Sequence, residues 1–213
     1  MAQQVAIIDY GSGNLRSVEK AFERAARESG LAAHFTVTDD AALIRAADRL
    51  VLPGVGAFGA CMAGLSARAG LLEALEHGVL AMGRPFLGIC VGMQLLADRS
   101  QEFGSHDGLG WIVGDVKPFD GAGLRTPHMG WNEIAVPAPH PLLDGLHGEA
   151  FYFAHSYCFD PENNAHAVAF CDYGERFAAA VARDNIAGVQ FHPEKSQRAG
   201  LRLLQNFLHW DPS

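Results

Sequence analysis

The apolar positions of this chain fall into two rhythms. Over the first ninety residues, short runs of consecutive apolar residues alternate with stretches where apolar positions recur every three or four. "QVAIIDY", "HFTVT", "RLVLPG" and "PFLGIC" read as strands. Between them, "NLRSVEKAFERAARESG" reads as a helix with Asn14 as its N-cap and Gly30 as its stop, and "DDAALIRAAD" as a short helix capped by aspartate. "FGACMAGLSARAGLLEALEHGVLAMG" supplies one or two helices, and the fourth strand leads into a helical pattern, "VGMQLLADRS". This alternation predicts a parallel sheet with helices on both faces, because right-handed crossovers leave few other arrangements.

From about residue 108 the texture changes. "GLGWIVGDVKPF", "PHMGWNEIAVPA", "EAFYFAHSYCFD" and "AHAVAFCDYGERFAAAVARDNIAGVQFHPE" carry strand and turn residues without a helical period. They are expected to extend the sheet and to add an antiparallel part. "QRAGLRLLQNFLHW" should close the fold as an amphipathic helix. The expected fold is therefore α/β: a single domain over residues 1–213 with a central, mostly parallel sheet flanked by helices and an additional antiparallel strand region. The length, and a composition that is 49% hydrophobic, suit one such core.

Charge narrows the function. A formal net charge of −8 without a Lys/Arg cluster argues against nucleic-acid or membrane-surface partners, which require basic groups to meet phosphates. The opening "MAQQVAIIDYG" has no basic region before its apolar run, and no run reaches the roughly 18 apolar residues of a membrane span. A cytoplasmic location is expected. The four cysteines, Cys61, Cys90, Cys158 and Cys171, include no C-x-x-C pair, so neither a disulfide framework nor a cysteine-rich zinc site is expected. Cys61 lies in a helical pattern and Cys158 and Cys171 in strand-like ones, where free cysteine acts as inert packing.

Cys90 differs. "LGICVGM" contains G-x-C-x-G, the thiol counterpart of the G-x-S-x-G nucleophile elbow. A nucleophile on a sharp strand-to-helix turn has strained backbone angles, and Gly88 and Gly92 remove the side chains that would obstruct the bend. The turn also sets the sulfur beside a helix N-terminus and frees the amide of Val91 for a developing oxyanion. The same two glycines would equally serve a buried core cysteine, so the motif needs a base. "GVQFHPEKS" offers one: His192 ends a strand-like run, and Pro193 fixes an extended step before Glu194, which can orient the imidazole. His155 in "AHSYCF" is the rival base but has no adjacent acid, and the remaining histidines read as ordinary surface or core residues. No H-x-x-x-H or H-E-x-x-H pair exists, so no metal and no cofactor are expected. The glycine-rich "LVLPGVGAFG" after the third strand suits the second oxyanion donor.

"LPGVGAF", "LGICVGMQLL" and "GVQFHPEKS" together resemble the class I, triad-type glutamine amidotransferases. "IIDYGSGNLRSV", "TPHMGWNEI" and "YFAHSY" narrow the resemblance to the glutaminase subunits of imidazole glycerol phosphate synthase, over about Val5 to Trp210. The resemblance implies a Cys90, His192, Glu194 triad that hydrolyses glutamine to glutamate and ammonia through a thioester. It implies an oxyanion hole from Val91 and from Val55 or Gly56, and glutamine contacts from Gly54, Gly56, Gln94, His155, Ser156 and Tyr157. It further implies transfer of the ammonia to a (β/α)8-barrel cyclase. That partner would bind the face holding Gly11, Ser12, Gly13 and Asn14, Pro127, His128, Met129, Gly130, Trp131 and Asn132, and Lys195. A cysteine peptidase on a related scaffold, a glutaminase serving another acceptor, and a non-catalytic module that keeps the elbow as packing remain the alternatives.

Overall fold

A computed structural model describes residues 2–119 and 123–212. The expected alternation is present. Strands β1 (Gln3–Ile8), β2 (Ala33–Thr38), β3 (Arg49–Gly54) and β4 (Phe86–Cys90) are connected by helices α1 (Leu15–Ser29), α2 (Ala41–Ala46), α3 (Phe58–Ala67) and α4 (Leu71–Glu76). The long alanine-rich stretch thus gives two α-helices, and the second runs into a π-helical turn, His77–Ala81. Helix α5 (Val91–Gln94) follows β4 directly. The second half contributes β5 (Arg99–Ser100), β6 (His106–Asp107), β7 (Gly114–Pro118), β8 (His128–Glu133), β9 (Ala150–His155) and β10 (Tyr157–Pro161). It ends with β11 (Ala167–Tyr173), β12 (Glu175–Arg183), β13 (Ile186–Val189) and helix α6 (Gln197–His209).

The main sheet has seven strands in the order β11-β12-β13-β4-β3-β1-β2. The five from β13 to β2 are parallel, and β12 and β11 run antiparallel at one edge. β3 and β4 are buried along their whole length, as parallel strands covered on both faces must be. On one face α1 buries Val18, Phe22, Ala25 and Ala26, and α6 packs beside it, with Phe22 and Phe207 edge to face at 6.0 Å.

Local signals explain some boundaries. Gly30 ends α1 in the left-handed conformation, φ 71°, and its amide reaches the carbonyls of Ala26 and Arg27. Asp40 caps α2 by accepting from the amides of Ala42 and Leu43. Asn14 stands at the predicted N-cap, but its side chain makes no capping hydrogen bond.

Two expectations need correction. The helical pattern after Cys90 stops at Gln94 rather than running to Ser100. The carbonyls of Leu95, Leu96 and Ala97 accept instead from Leu109, Trp111, Ile112 and Gly110, at 2.8–3.0 Å. A returning chain has taken the acceptors that a longer helix would use, and periodicity cannot register that. The second-half strands also do not all extend the main sheet. β10, β7, β5 and β6 form a separate four-stranded sheet, and β8 with β9 forms a two-stranded antiparallel ribbon; only β11, β12 and β13 join the first-half strands.

Backbone packs closely against backbone where α5 leaves β4. A Cβ on Gly92 would stand 1.9 Å from the Leu52 carbonyl oxygen, and one on Gly88 2.4 Å from the Gly92 oxygen. Gly92→Ala should therefore lower stability by about 3 kcal/mol or more, since backbone on both sides must move. Gly30→Ala, which meets nothing within 4 Å, should cost only its left-handed strain, about 1 kcal/mol. Urea unfolding midpoints measure both; equal losses would contradict this packing.

Candidate active site

Three parallel strands deliver the site at their C-terminal ends. β3 ends at Gly54 and β4 at Cys90, and the two residues are partners in the ladder. Cys90 has φ 56° and ψ −111°, a backbone state that non-glycine residues occupy only under strain. Glycine is required around it: besides Gly88 and Gly92, a Cβ on Gly54 would stand 2.7 Å from the Gly92 nitrogen. Val91, as the first residue of α5, has an amide with no intrahelical acceptor.

On the other side of β4, β13 pairs Val189 with Ile89 and then carries the chain to His192. That segment is fastened at the backbone. The His192 amide donates to the Tyr152 carbonyl at 2.9 Å, the Ser196 hydroxyl donates to the His192 carbonyl at 2.6 Å, and the Tyr152 amide donates to the Ser196 hydroxyl at 3.0 Å. Gly200 allows α6 to seat against the turn, because a Cβ there would lie 1.9 Å from the Pro193 oxygen.

His192 Nδ1 lies 2.9 Å from Glu194 Oε1, and both side chains are almost wholly buried, at 4% and 1% exposure. Nε2 is left for the Cys90 thiol, which lines the same cavity. Burial alone would hold this imidazole below its ordinary 6.5, but hydrogen bonds to Cys90 and Glu194, with their charges, push it up to about 9. At neutral pH His192 is therefore an imidazolium facing the sulfur. His155 is the opposite case. Burial drives it down to about 3, its Nδ1 is committed to the Tyr157 carbonyl at 2.9 Å, and its Nε2 meets His128 Nδ1 at 3.0 Å. It has neither charge nor free nitrogen, so the rival base falls away.

A cavity of about 340 Å³ opens over the sulfur. Of the residues expected at the site, Val55, Gly56, Cys90, Val91, Gln94, His155, Ser156, Tyr157 and His192 line it. Gly54 lies beneath as the ladder partner of Cys90, and Glu194 stands behind His192. The glycine-rich loop is not aimed as expected. The Val55 amide donates to Ser12 Oγ at 3.3 Å, and that hydroxyl donates back to the Val55 carbonyl at 2.6 Å. The Val55 amide, one of the two candidates for the second oxyanion donor, is thus committed to Ser12, which leaves Val91 and Gly56 as the expected donors that line the cavity.

The expected partner face divides. Met129 and Trp131 are exposed on β8, at 63% and 49%, and Pro127, Met129 and Lys195 reach the cavity rim. Lys195 Nζ sits 5.7 Å from the Tyr152 ring, which stacks edge to face with Trp131. Gly11, Ser12, Gly13 and Asn14 do not line the cavity; Gly13 packs on Pro53, and Ser12 bonds to Val55, which does line it. Gly130 and Asn132 are half-buried, and Asn132 Nδ2 is spent on the Asp172 carbonyl at 3.1 Å. His128 corrects the expectation: it is 2% exposed, because alternation along β8 turns it inward, stacked on Tyr173 at 4.0 Å.

Sequence reasoning missed two site residues. Glu102 lines the cavity and accepts from the Phe58 amide at 2.6 Å, capping α3, whose own N-cap position holds Ala57; nothing local in the sequence marks it. Gln190 donates from Nε2 toward Cys90 Sγ at 3.8 Å. It stands two residues before His192 in an extended run, so the two-residue period would have placed both on one face.

The raised imidazole has a consequence for stability. A folded-state value of about 9 against an ordinary 6.5 means a contribution fully present below pH 6.5 and lost as pH rises through 9. Resistance to urea should fall by about 3 kcal/mol across that window, and Glu194→Gln should flatten the fall. A profile that rises between pH 6.5 and 9 would contradict the charged pair.

Similarity to known proteins agrees with this geometry. The family model for glutamine amidotransferase class-I matches residues 6–210. The imidazole glycerol phosphate synthase subunit HisH of Brucella abortus (strain 2308) is 55% identical, covering 98% of this chain and 100% of its own. The HisH subunit of Rhodospirillum rubrum is also 55% identical, with the same coverage, and that of Caulobacter vibrioides is 54% identical over 99% of this chain and 100% of its own. Among solved structures, a glutamine amidotransferase crystal structure superposes with a TM-score of 0.72 at 18% identity, covering 96% of this chain and 97% of that one. A glutamine amidotransferase from Thermotoga maritima gives 0.64 at 17%, covering 98% and 84%, and at these identities both likenesses speak to the fold alone. The chain belongs to the class I glutamine amidotransferases, in the group of imidazole glycerol phosphate synthase HisH subunits.

Proposed function

We propose that this protein is the glutaminase subunit of imidazole glycerol phosphate synthase, acting in histidine biosynthesis in the cytoplasm, and that Cys90, His192 and Glu194 are its catalytic residues. The observation that carries the reading is the strained Cys90 lining one cavity with His192, whose imidazole a buried carboxylate holds. Cys90 attacks the side-chain amide carbon of glutamine, and the Val91 amide receives the oxyanion. His192 passes a proton to the departing ammonia, leaving a glutamyl thioester. Water, deprotonated by His192, then hydrolyses the thioester to glutamate and restores the thiol. Glu194 supports the imidazolium throughout.

The cavity suits an amino acid with both charges. Glu102 offers a carboxylate and Lys195 an ammonium at its edge, complementing an α-amino group and an α-carboxylate, while Gln94, Ser156 and Tyr157 supply neutral polar groups. The partner is the cyclase, a (β/α)8 barrel that uses ammonia to cleave a phosphoribulosyl nucleotide into imidazole glycerol phosphate and an aminoimidazole carboxamide ribotide. It docks at the cavity mouth, where exposed Met129 and Trp131 provide the apolar anchors. The Val55 amide held on Ser12 supports low turnover of the isolated subunit, because one oxyanion donor is withheld until the loop is rearranged.

Glutamate release should rise at least about a hundredfold when the cyclase and its nucleotide are added, the size of one recovered oxyanion donor or more. Cys90→Ala should abolish it under both conditions. Equal rates with and without partner would sink the docking account, and cleavage of peptides with free glutamine ignored would sink the glutaminase reading. Trp131→Ala should weaken cyclase binding about thirtyfold, as loss of a buried aromatic anchor does, measured by titration calorimetry; unchanged affinity would remove Trp131 from the interface.

A further inference from the structure

A buried sequence of hydrogen bonds runs from the ribbon β8–β9 to the nucleophile, and the groups themselves fix its directions. The Tyr157 carbonyl can only accept, and two donors reach it: His155 Nδ1 at 2.9 Å and Gln94 Nε2 at 2.9 Å. His155 therefore holds its proton on Nδ1 and presents a lone pair at Nε2, so His128 Nδ1, 3.0 Å away, is the donor there. Burial lowers both imidazoles from 6.5, so no second proton disturbs this order. In the other direction, Gln94 Nε2 also donates to Gln190 Oε1 at 3.0 Å. The Gln190 amide cannot then be turned over: its oxygen must face Gln94, and its NH2 must face Cys90 Sγ, 3.8 Å away. Gln190 is wholly buried, and its own amide is pinned to the Ala179 carbonyl at 2.9 Å.

We infer that Gln190 is a positioning residue for the nucleophile, the last donor in a relay that begins at His128 and holds the Cys90 sulfur at the cavity floor while it carries charge. The inference rests on Cys90 being the nucleophile. His128 acts further back: it donates to the Nε2 lone pair of His155, whose Nδ1 proton, together with Gln94, holds the Tyr157 carbonyl. The stacking of His128 between Tyr173 at 4.0 Å and Phe153 at 4.9 Å keeps its Nδ1 aimed along the relay.

Gln190→Glu keeps the side-chain volume and the oxygen that Gln94 needs, but replaces the donor at the sulfur with a carboxylate oxygen. In the full chain, the rate of Cys90 alkylation by iodoacetamide at pH 7, located by peptide mass spectrometry, should fall about tenfold, as loss of a hydrogen bond to a charged group implies. With the cyclase present, kcat for glutamine should fall by a similar factor, and KM should change less than about threefold. Faster alkylation, the mark of loosened packing, or an unchanged rate would overturn the inference. A second pair of variants probes the start of the relay. His128→Phe keeps the stacked ring without a donor, whereas His128→Asn places an amide nitrogen near the position of Nδ1. KM should rise about fivefold or more in the first, as a lost hydrogen bond to an uncharged acceptor does, and return to within about twofold of wild type in the second. Equal behaviour of the two would overturn the relay. The alkylation readout needs no turnover: a chain that alkylates as expected yet releases no glutamate would fail as a glutaminase while Gln190 kept its role.

Discussion

The site depends on one close approach of backbone to backbone. Helix α5 leaves β4 so near to β3 that the space beside Leu52 O admits no Cβ at Gly92, and the chain can turn there only with Cys90 at φ 56°. That turn does three things at once. It lifts the sulfur out of the sheet, starts a helix whose first amide is free, and faces the thiol toward the strand on its other side. Because the ladder places Cys90 opposite Gly54 and Ile89 opposite Val189, the loop after β3 and the segment after β13 are brought to the same point by strand pairing, not by long-range search. A parallel sheet collects residues distant in sequence at the C-terminal ends of its strands, and this protein uses three adjacent ones.

Burial and charge then oppose each other around the sulfur, and the partners decide the outcome for each histidine. His192 and His155 are both buried, yet one is driven up to about 9 and the other down to about 3. The difference lies in what their nitrogens meet: a carboxylate and a thiol in one case, a carbonyl and a second neutral imidazole in the other. The buried Glu194 is tolerated because the imidazolium faces it.

Much of this was legible in the chain itself. Gly-x-Cys-x-Gly prescribes a local backbone shape that is present at Cys90 as read, whereas the extended step expected at Pro193 is instead the start of a 3-10 turn, Pro193–Lys195, which brings Glu194 back onto His192. What escaped was non-local. The helix after Cys90 is cut short by carbonyl acceptors claimed from residues 109–112, and the second-half strands are shared among three sheets, which alternation alone cannot sort. His128 was placed on the partner face with the rest of Pro127 to Asn132 because the resemblance implies that stretch, although alternation on β8 turns it inward. The orientation of the Val55 peptide depends on the hydroxyl of Ser12, forty-three residues away, and no local rule contains it. Glu102 escaped for the same reason, since it caps a helix from a different loop.

The most direct test of the central claim is covalent labelling with a chloroketone analogue of glutamine, followed by peptide mapping. The chain has three other free cysteines, Cys61, Cys158 and Cys171, all buried. The account predicts a single adduct on Cys90, formed at least about a hundredfold more slowly when His192 is replaced by alanine, the contribution expected of a positioned acid–base partner. An adduct on another cysteine, or labelling of Cys90 at an undiminished rate without the imidazole, would contradict it.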